Sequence, residues 1–163
     1  MIAFDAGVLI AYKNPKCAPE IRIRIEGLVT RAITSRQRII IPSPAVTEFL
    51  AGIEGPAEAA KASLILTQSK NFRVASFGER ASLETALVIS RVKTRGTRKH
   101  EGASWAKAKF DWQIAAIAKV EGAESIFTTD NDVVRAAGHF GLHGVYVPEM
   151  DLPDEARQGN LPL

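Results

Sequence analysis

Short apolar runs recur along this 163-residue chain with longer segments of helical period between them, and that alternation limits the folds open to it. Ile2 to Phe4, Arg38 to Ile41, Phe72 to Ser76, Ser125 to Thr128 and Gly144 to Val147 are rich in Ile, Val or Phe and lie near turn residues, so they read as buried strands. From Glu20 to Arg36, the residues Ile21, Ile25, Leu28, Val29, Ala32 and Ile33 follow a helical stripe. Ile21-Arg-Ile-Arg-Ile25 alone alternates like a strand, but the period continues and decides for helix. Ser43 and Pro44 suit the N-cap and first position of a helix through Leu50 that stops near Gly52 to Gly55. Ala57 to Ser69, Glu79 to Arg91, Ser104 to Val120 and Asp132 to Phe140 read as further helices. Strands joined by helical crossovers imply a parallel sheet covered on both faces, a three-layer α/β domain of about five strands.

A chain of this length buries one sizeable core, so residues 1–148 are expected to form one domain and 149–163 a polar tail with Pro153, Gly159 and Pro162. Hydrophobic residues at 46%, charged residues at 24% and a mean hydropathy near zero describe a globular chain and exclude a disordered or membrane one. No apolar run approaches the ~18 residues of a spanning helix, and the start Met1-Ile-Ala-Phe-Asp5 lacks a secretory signal, so a cytosolic protein is expected. The single cysteine, Cys17, excludes an internal disulfide framework and a thiolate metal site built by this chain alone.

Four acids stand in apolar surroundings, where an unpaired carboxylate is costly: Asp5 after the first strand, Glu48 in Val46-Thr-Glu-Phe-Leu50, Asp111 before Trp112-Gln-Ile-Ala-Ala116, and Asp130 after the fourth strand. Ligands of open α/β sheets bind beyond the carboxyl ends of the strands, where strand order reverses. If the first and fourth strands flank that reversal, Asp5 and Asp130 share one crevice. Taken singly, Asp5 reads equally as a helix cap, Glu48 as a solvated helix residue and Asp132 as a first-turn acid favoured by the helix dipole. Together, four carboxylates without histidine or cysteine form a hard-oxygen set that suits Mg²⁺ or Mn²⁺ and phosphodiester chemistry.

Charge supplies a second feature. The whole chain carries 21 basic and 18 acidic residues, but Arg91, Lys93, Arg95, Arg98, Lys99, Lys107 and Lys109 cluster against the single acid Glu101, a local +6 running into Asp111. This stretch suits a polyanion; a solvated loop and helix face is the competing reading. Trp105 and Trp112 fit a helix interface better than base stacking.

The segments Phe4-Asp5-Ala-Gly-Val-Leu-Ile10, Val46-Thr-Glu-Phe-Leu50, Asp111-Trp-Gln-Ile-Ala-Ala116 and Phe127-Thr-Thr-Asp-Asn-Asp132, in this order over residues 1–148, resemble the PIN domain and within it the VapC-type toxin ribonucleases. The resemblance implies a sheet of order 3-2-1-4-5. It also implies a Mg²⁺ or Mn²⁺ site of Asp5, Glu48, Asp111 and Asp130, with Asp132 as an outer member and Thr128 as an orienting hydroxyl. A 5′-phosphate product, a homodimer and a small antitoxin that occludes the crevice follow from the same resemblance. Ala6 and Gly7 depart from it, because members often carry a hydroxyl or amide residue after the first acid. The segment Lys93 to Lys109 is also longer than expected before the third acid. A solitary PIN nuclease of RNA processing or DNA maintenance and a catalytically silent PIN-fold binding module are the alternatives. An aspartyl-phosphate phosphatase or receiver-type phosphoacceptor also puts an Asp after the first strand, but the phosphatase pattern would want a second Asp where Gly7 stands.

Overall fold

The computed structural model describes residues 1–94 and 105–153. Its five strands are β1 (Ile2–Phe4), β2 (Ile39–Pro42), β3 (Phe72–Ala75), β4 (Ser125–Thr128) and β5 (His143–Tyr146), all parallel and ordered β3-β2-β1-β4-β5. The order reverses between β1 and β4, which pair as Ile2↔Ser125, Ala3↔Ile126 and Phe4↔Phe127.

The two-residue alternation of a strand divides the apolar residues between two cores. Ala3, Ile40 and Ile126 point to one face, where they meet α5 (Glu79–Thr94), α6 (Trp105–Val120) and α7 (Asn131–His139) through Val88, Ile117, Val133 and Ala137. Phe4, Ile39 and Ile41 point to the other, packing on α1 (Ala6–Lys13), α2 (Pro19–Thr34), α3 (Ser43–Ala51) and α4 (Pro56–Gln68) through Val8, Ile25, Leu28, Phe49 and Leu66. Both faces of the sheet are therefore covered. A small third cluster, Ala6, Ala45 and Ile114, lies where α1, α3 and α6 meet, and its two alanines permit close approach.

Helix α1 shows no helical period in the sequence, and its residues explain why. Val8 and Leu9 are buried while Ile10 and Tyr12 are exposed, so apolar residues encircle the helix and leave no single stripe. The alternating Ile21-Arg-Ile-Arg-Ile25 lies inside α2, which buries Ile25, Leu28 and Ala32. After β5 a short 3₁₀ turn, Val147–Glu149, leads the chain back over α2. Arg24 Nε donates to the Met150 carbonyl there, and Pro153 lies so close to Gly27 that a Cβ on this glycine would come within 2.7 Å of Pro153 Cγ.

Two glycines near β5 make opposite predictions. A Cβ at Gly144 would lie 2.8 Å from both the Cα and the carbonyl oxygen of Val134, so Gly144→Ala should destabilise the fold by about 1–3 kcal/mol, an overpacking cost. A Cβ at Gly138, in the last turn of α7, meets nothing within 4 Å. Gly138→Ala should therefore stabilise by up to roughly 1 kcal/mol through helix propensity. Urea denaturation of the two variants checks both signs.

Candidate active site

Asp5 leaves the carboxyl end of β1 and occupies the N-cap position of α1, with its backbone amide still bonded to the Phe127 carbonyl of β4 at 3.1 Å. Its carboxylate is almost completely buried. Thr128 ends β4 in the next register position and is fully buried, and its hydroxyl donates to Asp5 Oδ2 at 2.9 Å. The same oxygen accepts the Asp130 amide at 2.9 Å. Asp130 then caps α7, its Oδ1 accepting the Asp132 amide at 2.7 Å.

Helix α6 delivers Asp111 on its buried side, next to Ile114, Ala115 and Ala118. One turn earlier Lys107 reaches back into the acids. Its Nζ lies 2.6 Å from Asp132 Oδ2, 2.9 Å from Asp130 Oδ2 and 3.6 Å from Asp111 Oδ2. Arg135, one turn into α7, pairs with the other oxygen of Asp132. Glu48 comes from α3 and stands exposed at the rim. Asp5, Glu48, Asp111, Asp130 and Asp132, with Lys107, Arg135 and Thr129, line one crevice of about 730 Å³ beyond the sheet at its point of reversal.

Proton affinities record the crowding of charge. Burial pushes the Asp5 carboxyl above its ordinary range, with Asp130 adding repulsion, while the Thr128 hydroxyl and the amides of Ala6 and Gly7 offset part of the rise. Burial likewise pushes Asp111 up to about 6; Lys107 opposes the shift, and Asp130, Asp5 and Asp132 add to it. Glu48 is raised by partial desolvation and then by Asp5 and Asp130. Asp132 moves the other way, because Lys107 and Arg135 bind its charged form. Partial desolvation pulls the Lys107 ammonium down, but its bonds to Asp130 and Asp132 outweigh this and hold it above the ordinary lysine range. These are the effects of burial, like charge and hydrogen bonding acting on one cluster.

A parallel 3-2-1-4-5 sheet with this acidic crevice is what the PIN resemblance implies, and a model of the PIN domain matches residues 2–139. The chain belongs to the PIN domain family. Among solved structures it is similar to FitAcB from Neisseria gonorrhoeae, at 20% identity over 92% of this chain and 100% of that chain, with a TM-score of 0.64. It is also similar to VapBC2 from Rickettsia felis bound to a DNA fragment from its promoter, at 15% identity over 89% of this chain and 98% of that chain, with a TM-score of 0.60. A third is VapC20 from Mycobacterium tuberculosis, a sarcin-ricin loop cleaving toxin, at 15% identity over 83% of this chain and 95% of that chain, with a TM-score of 0.55. At these identities the likeness is one of fold. No curated protein sequence matches the chain.

Within this PIN fold the four acids singled out by sequence, together with Asp132, face one space. The basic residues divide. Arg91 and Lys93 are exposed in the last turn of α5, and Lys109 stands over the Trp105 ring with Nζ 5.9 Å from its centroid. Arg95, Arg98 and Lys99 lie outside the described residues. Lys107, expected with the basic stretch to face a polyanion, instead turns into the acidic crevice, because Asp111, Asp130 and Asp132 lie within reach of its ammonium. Trp112 is buried edge-on between Trp105 and His139, as a helix-interface residue. No helix among the described residues is long and apolar enough to cross a membrane.

Two polar crevice residues carry little or no signal in the sequence. Arg135 carried a weak signal, its spacing of three from Asp132 on a helix. Thr129 carried none, yet it accounts for Gly7: a Cβ on Gly7 would collide with Thr129 Oγ1 and come within 3.6 Å of Asp5 Oδ2.

The donors available to a metal are carboxylates and a hydroxyl, without nitrogen or sulfur among the acids, and this chemistry fits a hard divalent cation. The raised carboxyls of Asp5, Glu48 and Asp111 mark the negative charge that a cation would relieve. Among the described residues, however, no three acids are gathered closely enough to hold an ion as they stand. They are arranged around an ammonium.

Stability against pH tests the placement of Asp111. Its carboxyl titrates near 6 in the fold against 3.8 in its unperturbed state, so between these values the unfolded chain releases the proton first. The stability of metal-free protein therefore falls as pH rises from about 4 to about 6 and stays lower above that window. Asp111→Asn should flatten this part of the profile and stabilise the protein in EDTA at pH 7 by roughly 1–3 kcal/mol. Denaturation across pH 4–8 measures both, and an Asp111→Asn variant less stable than wild type at pH 7 would overturn the assignment.

Proposed function

We propose that this chain is a divalent-metal-dependent endoribonuclease that hydrolyses RNA phosphodiester bonds, acting as the toxin of a toxin–antitoxin pair in the cytosol. One observation carries the reading: carboxylates from four different elements, Asp5, Glu48, Asp111 and Asp130, line one crevice at the sheet's point of reversal. Membership of the PIN family and the likeness to FitAcB and the VapC structures support the same class. RNA as substrate has a named precedent in VapC20, a sarcin-ricin loop cleaving toxin. A small cognate antitoxin and a homodimer are the partners inferred from the family.

The four acids, with Asp132 as an outer member, would hold Mg²⁺ or Mn²⁺. When bound, such an ion supplies a water of lowered pKa and a counter-charge for the departing oxygen. The protein's own contribution is positional. Thr128 fixes Asp5 and the backbone of Asp130 through one oxygen, so the two central acids keep their separation without a flexible loop between them. Helix α6 holds Asp111 on its buried side, so this acid enters the crevice from a fixed helix. Arg91, Lys93 and Lys109, exposed on α5 and α6, and Arg95, Arg98 and Lys99 in the intervening segment, would track the RNA phosphates. Gly7 does not favour a catalytically silent module, because Thr129 sets a hydroxyl in the space that a side chain at position 7 would fill.

Protein freed of any inhibitor should cleave single-stranded RNA in Mg²⁺ or Mn²⁺ and stop in EDTA. Asp5→Asn and Asp130→Asn should each reduce the rate by at least on the order of a hundredfold, the scale on which even outer-shell groups of metal sites act. Cleavage in EDTA, or full activity in both variants, would sink the assignment.

The basic stretch is tested by salt. Replacing Arg95, Arg98 and Lys99 together by Ala should weaken RNA binding and reduce the slope of log affinity against log salt by up to ~2, at ~0.7 per lost single-strand phosphate contact. Binding curves at several salt concentrations measure it. An unchanged slope would make the stretch a solvated surface.

A further inference from the structure

Lys107 belongs by sequence to the basic stretch, but in the fold its ammonium faces three carboxylates of the crevice at 2.6, 2.9 and 3.6 Å. Nothing about helix α6 obliges this. The side chain is 42% exposed, its stem is four flexible carbons, and solvent lies beside it, so the ammonium could extend into water at little steric cost. It turns inward because Asp111, Asp130 and Asp132 sit close together and their mutual repulsion is relieved by the nearest cation. The distances suit N–H···O bonds. A magnesium ion would need oxygens at about 2.0–2.1 Å, and no three of the described acids are gathered for that.

We propose that Lys107 is a tethered counter-cation that keeps the metal's place in the metal-free protein, so that a divalent ion and the Lys107 ammonium exclude one another at these acids. The inference rests on the metal-dependent reading above. It makes the lysine a built-in competitor that holds Asp111, Asp130 and Asp132 together while no metal is bound. The lysine thereby sets the metal concentration at which the crevice becomes competent. Arg135 cannot take this role, since it pairs with the Asp132 oxygen that Lys107 leaves unused.

Calorimetric titration of the full chain with Mn²⁺ alone tests the proposal by affinity and not by activity. Lys107→Met should bind Mn²⁺ roughly tenfold tighter than wild type, as several partly exposed ion pairs no longer have to be broken first. Lys107→Arg, which keeps the charge, should stay near wild type. Lys109→Met is the control for net charge: it removes the same charge from the same helix, but its ammonium stands over the Trp105 ring. Its affinity should change by less than about twofold, since an exposed charge away from the ion is screened.

Should Lys107→Met fail to fold, wild-type protein still answers. The Lys107 ammonium, assigned by its absence in Lys107→Arg, should give a slowly exchanging proton signal by NMR in EDTA that saturating Mg²⁺ removes. Persistence of that signal in Mg²⁺, equal or weaker Mn²⁺ affinity in Lys107→Met, or an equal gain in Lys109→Met would each overturn the proposal. Absence of Mn²⁺ binding in wild type and variant alike would overturn the metal-dependent reading with it. Normal metal competition in a protein that cuts no RNA would count against the nuclease reading alone.

Discussion

The hydrogen bond from the Thr128 hydroxyl to Asp5 Oδ2 joins the ends of the two central strands, and the rest of the crevice is built outward from it. Register makes it available. Phe4 and Phe127 pair across β1 and β4, so Asp5, just past β1, and Thr128, the last residue of β4, stand side by side. Asp5 is nearly inaccessible there, and a buried carboxylate without a partner is costly. Thr128 supplies that partner as donor and, with the same oxygen, accepts the Asp130 amide. One fully buried side chain thus fixes an acid on each side of the point of strand reversal. Asp130 carries the fixation into α7 by capping it, which places Asp132 on the first turn and Arg135 one turn further, both beside the crevice.

The second determinant is α6, which brings both an acid and a base to the same place. Asp111 and Lys107 lie one turn apart, and α6 packs against α7, so the ammonium reaches acids of both helices. Without Lys107 and Arg135, five carboxylates would line a single opening. Even with both cations the carboxyls of Asp5, Glu48 and Asp111 stay raised, chiefly by burial and in smaller part by neighbouring carboxylates, so the fold carries a cost at each of them. A sequence selected only for stability would not keep Asp111 among Ile114, Ala115 and Ala118. Tension of this kind between stability and site chemistry is the ordinary mark of a functional position.

Sequence pattern carried the strands and the acids for a physical reason. Buried strands of a parallel sheet must be short apolar runs, and an acid at the end of such a run stands out against them, as Asp5 and Asp130 do. It did not carry α1, because apolar residues stand on its exposed side as well as its buried one and leave no polar face to mark its period. Nor did it carry the direction of Lys107. Charge along a chain shows that Lys107 and Lys109 are both basic, but only the packing of α6 on α7 shows that one meets carboxylates and the other an indole. Thr129 lay next to a threonine with an assigned role and had no pattern of its own. Its importance is steric, and sterics between residues 7 and 129 are invisible until β1 and β4 are neighbours.

Gly7 and Thr129 also change the meaning of the departure from the family pattern after Asp5. Read along the chain, Ala6 and Gly7 remove a polar group from the start of α1. In space, a Cβ at position 7 would meet Asp5 Oδ2 at 3.6 Å and collide with Thr129 Oγ1, so that volume holds a hydroxyl contributed by the other central strand's loop. The two positions are therefore linked: a side chain at 7 is excluded while Thr129 keeps its place, and Thr129 can keep it only beside a glycine. Where the sequence presents a missing polar side chain, the fold places the hydroxyl of Thr129 from the loop after the neighbouring strand. The bare glycine is the condition for Thr129 to line the crevice there.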